Sequence, residues 1–255
     1  MYYKIFMEKV FKYYCYDCDD NLLFLSTKIH LDILIVDVWC PIDVSTKEFV
    51  NIRNDKNYRL RNNNLDETFS EFRDIGKRKD TTFLEDWIDA VINERFGPSW
   101  DSFIHCLTKG RLFSIITTRG HEPQNIRKVI EWTIDNFLTL SQKTDMKENL
   151  QYFNLIFDEN PKNLIKNYLD NCMFCGVTSP TYQKILGDSS IEELKSKALT
   201  LFIERVYQIS KKVGAKTIVG FSDDDPKFLE RIEKTNSELS LKYLDLETHL
   251  FDSGL

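Results

Sequence analysis

Three carboxylates in four positions, Asp17, Asp19 and Asp20, close the aromatic run Lys12-Tyr13-Tyr14-Cys15-Tyr16 and are followed at once by Asn21-Leu22-Leu23. Like charges this close repel one another unless a metal, a lysine or solvent sits among them. A second acidic run, Asp223-Asp224-Asp225, follows the apolar stretch Lys216-Thr217-Ile218-Val219-Gly220. Magnesium takes hard oxygen ligands and needs only one or two protein carboxylates beside waters and a substrate phosphate. Acids drawn from two strand ends therefore suit Mg2+. Asp17 and Asp19 lie two apart and at a strand end face the same side. One is expected to attack phosphorus while the other handles the leaving-group proton, its acidity weakened by the like charges around it. Thr117 offers a hydroxyl to a phosphoryl oxygen, and Lys195, at the start of a helix, offers a cation to balance charge in transfer. The sequence holds no glycine-rich phosphate cradle, so nucleotide-hydrolase and dinucleotide readings find no support.

These residues need a frame that brings distant positions to one edge. Val10–Tyr16, Arg111–Thr117, Met173–Thr178 and Lys216–Gly220 read as buried strands, and Leu241–Leu246 as a strand at the sheet edge. Between them run helical patterns. One opens at Glu122-Pro123 with Ile126, Val129, Ile130 and Ile134 inward, and residues 141–170 are helical. A longer helix opens at the Ser190/Glu193 capping box and ends at Gly214; another starts at Pro226. Strands alternating with helices imply a parallel sheet with right-handed crossovers, an α/β Rossmann-like fold flanked by helices. Ligands bind such sheets outside the carboxyl ends of the strands. The ends at Asp17/Asp19, Thr117/Arg119 and Asp223/Asp224 should therefore share one rim.

Residues 24–108 read as an insertion into that frame. It has a short amphipathic piece at Leu22–Ile29, strands at Asp32–Val38 and Tyr58–Arg61, and a Ser45/Glu48 capping box. Three helical patterns follow. Leu65, Phe69, Phe72 and Ile75 share one face, with Gly76 as the stop before a charged linker; Phe83, Trp87 and Val91 make the second, and Trp100, Phe103 and Leu107 the third. The insertion is thus expected to be mainly helical, with residues 1–23 and 109–255 forming the core.

At 255 residues the chain can bury a substantial core. Its net charge of −6 does not advertise a broad nucleic-acid footprint. Six cysteines in a chain this long point to reduced thiols and a cytoplasmic setting rather than a disulfide scaffold. No stretch approaches the length of a membrane helix. Cys15-x-x-Cys18 and Cys172-x-x-Cys175 spell a zinc pair only superficially, because the first sits within a strand and the second within an apolar run. Asp20 is expected to point away from the other acids, His121 to lie on the surface, and Asp225 to serve as an N-cap before Pro226.

Taken together, four pieces resemble the haloacid dehalogenase superfamily of phosphohydrolases. They are Asp17-Cys18-Asp19-Asp20-Asn21 after the first strand, Ile115-Ile116-Thr117 with Arg119 completing a Thr-x-Arg form, Lys195 opening the helix before the fourth strand, and Ser222-Asp223-Asp224-Asp225 closing that strand. The resemblance implies a Mg2+-dependent phosphatase working through an aspartyl phosphate. Asp17 would be nucleophile and metal ligand, and Asp19 the general acid/base, also giving its main-chain carbonyl to the metal. Thr117 and Lys195 would hold the phosphoryl group, with Lys197 or Lys184 as alternatives to Lys195. Asn21, Thr118 and Arg119 would contact substrate, and Asp223 and Asp224 would complete the metal site. The insertion stands where the family places a cap that selects the substrate, expected here to be a phosphorylated small molecule. A nucleic-acid end phosphatase and a domain that binds phosphorylated ligands or proteins without turnover are the alternatives.

Overall fold

Branched and aromatic residues at Val10–Tyr16 form strand β1, the first element of a computed structural model that describes residues 9–74, 82–157 and 164–254. The inserted segment then supplies β2 (Ile29–Ile35), β3 (Val38–Val44), α1 (Thr46–Ile52), β4 (Tyr58–Leu60), α2 (Leu65–Thr68), α3 (Thr82–Ile92) and α4 (Trp100–Thr108). The chain continues with β5 (Phe113–Thr117), α5 (Pro123–Trp132), α6 (Leu140–Phe157), α7 (Leu164–Asn171) and β6 (Met173–Gly176). It closes with α8 (Pro180–Leu186), α9 (Ile191–Lys212), β7 (Lys216–Asp223), α10 (Pro226–Lys242) and β8 (Leu246–Asp252).

Five strands make one sheet in the order β6-β5-β1-β7-β8, and every pairing in it is parallel. Helices flank it, so the expected α/β architecture is present. Its register decides where the chemistry sits. Tyr16 of β1 pairs with Ser222 of β7 and with Ile115 of β5, and Thr117 pairs with Gly176 of β6. The next residue of β1, Asp17, donates its amide to Ser222 O at 3.0 Å. Asp17, Thr117 and Asp223 thus end neighbouring strands on the same side.

Helix α9 crosses β1, β5 and β7. Ser190 caps it by accepting from Glu193 N, as the capping-box spacing predicts. Leu194, Ala198, Leu199, Phe202, Ile203 and Val206 lie along its buried face. That face also carries Lys195, one turn inside the helix and at the rim where the strands end.

The inserted segment differs from its expected form. It contains a three-stranded antiparallel sheet in the order β3-β2-β4. The single strand expected at Asp32–Val38 is the middle of a hairpin that turns at Val36-Asp37, with φ of 45° and 61°. Both central residues of a two-residue hairpin turn of this type need positive φ. Neither is a glycine or asparagine, so the sequence carries no turn signal there. Ile29, Leu31, Val44 and Phe72 form a separate small core beneath this sheet.

Helices α3 and α4 do not join that small core. Phe83, Trp87, Val91, Trp100, Phe103 and Leu107 belong to the large core around the parallel sheet. The Trp87 indole N–H also donates to Thr133 Oγ1 at 2.9 Å, and Thr133 follows α5. The expected helix at 65–75 is only the short α2 followed by a tight turn at Ser70–Phe72, and Ile75, Gly76 and the charged linker lie outside the described residues. The edge strand expected at Leu241–Leu246 is also displaced. Leu241 ends α10 and Leu244 lies in the turn, 86% and 93% exposed, and the strand is β8. No helix among the described residues is long and apolar enough to cross a membrane.

Candidate active site

Lys195 Nζ donates to Asp17 Oδ1 at 2.8 Å and to Asp223 Oδ2 at 2.7 Å. All three side chains are buried, and the ammonium also sits 4.0 Å from the centre of the Phe228 ring. A lysine is buried this fully only when it is paired, and here two strand ends and a crossover helix supply the pairing. Of the three lysines at 184, 195 and 197, it is the one at 195 whose ammonium reaches the acids. Lys197 Nζ reaches Leu186 O and Ser189 Oγ, while Lys184 is exposed.

Asp17, Asp223 and Asp224 each offer a carboxylate oxygen, and these atoms lie within 4.8 Å of one another. Among the described residues they are the one group of three acidic, histidine or cysteine side chains so placed. Three acids share one lysine, which leaves excess negative charge in a closed space. Burial pushes the Asp17 carboxyl well above the ordinary range; Lys195 opposes this, and Asp223, Asp224 and Asp19 add to it. Asp224 is pushed up to about 7, by burial first and then by Asp223 and Asp20. Burial pulls Lys195 down, but Asp17 and Asp223 outweigh it and hold the ammonium above its usual value. An all-oxygen donor set with uncompensated charge fits a hard divalent cation.

Asp19 is oriented differently. Arg119 holds both of its oxygens, Nε donating to Oδ2 at 2.8 Å and Nη2 to Oδ1 at 2.7 Å. The same Nη2 donates to Thr27 Oγ1 at 2.7 Å. The guanidinium lies between the rings of Phe72 and Phe83, at 4.6 and 4.8 Å from their centres, and has no exposed surface. Arg119 is therefore closed to substrate, contrary to expectation. A Thr-x-Arg sequence places it at the rim, but the aromatic pair draws the flat cation inward.

Two more expectations change. The Asn21 side chain donates to Asp17 O, Ser222 O and Ser222 Oγ, so it ties the ends of β1 and β7 together instead of facing substrate. His121 is buried, stacked on Phe83 at 4.7 Å and bonded through Nδ1 to Asp74 Oδ1 at 2.8 Å. Thr117 is fully buried, and its Oγ1 accepts from Arg119 N at 3.3 Å. Its neighbour Thr118 faces the open space.

That space is a cavity of about 450 Å³ between the strand ends and the small antiparallel sheet. Asp17, Asp19, Asp20, Asp224 and Lys195 form its floor. Asp20 does not point away: with φ of 57° it turns to accept from Thr46 Oγ1 at 2.5 Å. Asp225 caps α10 by accepting from Lys227 N, and it also receives Arg53 Nη1 at 2.9 Å. Thr46, the first residue of α1, and Arg53, which caps its C-terminus, thus grip the two acidic loops, one each. Sequence reasoning missed Thr46, Arg53, Asp74 and His121, because their importance comes from partners more than 25 positions away. The four cysteines of the apparent zinc pairs are free and buried, and burial pushes Cys15 and Cys172 up to about 12.

Comparison with protein-family models, curated proteins and solved structures finds no match to this chain.

Proposed function

We propose that this chain is a magnesium-dependent phosphomonoesterase of the haloacid dehalogenase type. The observation that carries the reading is the Asp17 carboxylate. It is fixed by Lys195 at the end of the central strand, beside Asp223 and Asp224, and faces a cavity.

In this reading Asp17 Oδ attacks phosphorus and the ester oxygen leaves, taking a proton that Asp19 has first bound from solvent on the lone pair facing the cavity. The bond from phosphorus to the alcohol breaks as the bond to Asp17 forms. Water then attacks the acyl phosphate, Asp19 accepts its proton, and Asp17 is released with inorganic phosphate. Each Asp19 oxygen has two lone pairs, so both hold Arg119 while the carboxylate still lines the cavity. Arg119 acts through Asp19 as a positioning residue. Lys195 aims Asp17 and opposes its protonation in the buried site, and Thr118, which lines the cavity, would offer a hydroxyl to the phosphoryl group. Mg2+ held by Asp17, Asp223 and Asp224 would neutralise charge on the phosphoryl oxygens.

Hydrolysis of a generic aryl phosphate tests this reading, run with Mg2+, with chelator and with Asp17→Asn. Activity should require Mg2+ and vanish in the variant; activity indifferent to both sinks the proposal. A second reading, binding of phosphorylated ligands without turnover, draws on the full pairing of Asp19 with Arg119. It predicts Mg2+-dependent binding with no phosphate released.

A further inference from the structure

The cavity's upper wall is apolar where its floor is acidic. Phe49 and Val50 of α1, Leu65 of α2, and Phe69 and Phe72 face the space above Asp17. Phe49 stands edge-on to Phe69 at 5.7 Å, and Phe69 edge-on to Phe72 at 6.2 Å. Leu65 and Val50 are 50% and 37% exposed although each lines the cavity. Apolar side chains so placed gain by covering an apolar ligand.

Charge narrows the ligand further. Three cationic side chains among the described residues line the cavity, and each already has an acid. Lys195 holds Asp17 and Asp223, Arg53 holds Asp225, and Arg73 holds Asp66. Arg73 is also fixed along its stem, where the bridge to Gly120 brings its Cγ against that glycine. Among the described residues no lysine or arginine pairs with Asp20, whose carboxylate accepts from Thr46 and repels a second anionic group. A phosphate that brings its own cation to the floor is accommodated, whereas a carboxylate or second phosphate on the body meets no free cation among the described residues.

We infer, granting the phosphoryl site proposed above, that the natural ligand carries one phosphate on an uncharged aromatic or apolar body seated against Phe49, Phe69 and Leu65. A cavity of this volume accepts a body of one or two rings. The same charge balance among the described residues gives bisphosphates, phosphorylated sugar acids and nucleic-acid ends no cation beyond those already paired.

Calorimetric binding of non-hydrolysable phosphonates in the presence of Mg2+ tests this apart from turnover. Naphthylmethylphosphonate should bind at least about tenfold more tightly than 3-hydroxypropylphosphonate, since burying half a ring is worth that much. It should also surpass 3-phosphonopropionate. Leu65→Ala, at a half-exposed position that spares the fold, should weaken the aryl ligand several-fold and leave the hydroxypropyl ligand within about twofold. Val50→Lys should turn the preference toward phosphonopropionate by supplying the missing cation. Equal or tighter binding of the polar or doubly charged phosphonate, or a ratio unmoved by Leu65→Ala, overturns the inference, as does binding of none of the three. Aryl preference with no hydrolysis of any ester would sink the phosphatase reading and leave this one standing.

Discussion

Arg119 grips Asp19 through both carboxylate oxygens from a side chain with no exposed surface. A fork-on-fork pair of this kind fixes the carboxylate's plane as well as its position. Two phenylalanine rings and Thr27 then fix the fork. The second acid of the proposed site is thus set by residues at four separate places in the chain, Thr27, Phe72, Phe83 and Arg119.

Removing one partner should be costly. Arg119→Leu leaves Asp19 buried without its cation and should lower stability by about 3–5 kcal/mol. Arg119→Lys should recover only part of that, because a point charge cannot bond both oxygens in one plane. Urea unfolding of the two variants measures the difference. Wild-type midpoints in both would mean that the pair is ornamental.

Lys195→Met removes the cation that joins Asp17 to Asp223. A loss of about 3–5 kcal/mol is expected when the acids are ionised. At pH 5 the loss should be smaller than at pH 8, since Asp17 and Asp224 take up protons above the ordinary carboxylate range. Urea midpoints at the two pH values supply the comparison, and an equal loss at both would contradict it.

Asp224 sets the direction of a pH effect in the metal-free protein. Its carboxyl sits at about 7 in the fold against an ordinary 3.8. Between those values the folded state holds more protons than the unfolded one, so this group's contribution falls as pH rises. It is fully present below about 4 and lost by about 7. With chelator present, Asp224→Asn should therefore gain stability relative to wild type as pH is raised across that window. A constant difference would show that Asp224 ionises without penalty.

Mg2+ should relieve the same penalty. At a free concentration 100 times its Kd it should stabilise the fold by about 2.7 kcal/mol, several degrees in Tm. Protection should grow from pH 5 to pH 8 as the competing protons leave, and Asp17→Asn should abolish it. Thermal scans with and without chelator decide this; a Tm indifferent to Mg2+ at pH 8 removes the metal from the proposal.

Gly97 holds the acidic loop from behind. Its amide donates to Leu22 O at 2.8 Å, and an added Cβ would lie 2.3 Å from Asn21 O. The obstruction is backbone, which cannot swing aside. Gly97→Ala should cost about 1–3 kcal/mol and displace Asp17. The substitution should lower Mg2+ protection together with the urea midpoint, whereas a fall in the midpoint alone would mean that the loop tolerates the push.

The parts of the site legible in the sequence were those fixed by topology. Parallel strands deliver their carboxyl ends to one rim, so Asp17, Thr117 and Asp223 converge whatever the intervening loops do. Lys195 was legible because a capped crossover helix must start at that rim. Side-chain direction was not. Asn21 and Arg119 have types suited to phosphate, but buried carbonyls claim the first, and Asp19 with two rings claims the second. The antiparallel sheet was only half visible, because Val36-Asp37 turns the chain without a turn residue. The last strand was misplaced because Leu241 and Leu244 are apolar and exposed, while β8 (Leu-Glu-Thr-His-Leu-Phe-Asp) mixes polar and apolar residues without a regular alternation.

The central position of β1 carries a cost during synthesis. It is the earliest of the five strands to be made, yet its β7 neighbour ends roughly 200 residues later, about 10–40 s at ordinary translation rates. Until then a nascent chain presents one edge of an aromatic strand unpaired, beside acids that lack Lys195. A truncated product ending before residue 216 would keep that edge open indefinitely. Such fragments should be bound by chaperones or aggregate, because a long unpaired strand is a template for other chains.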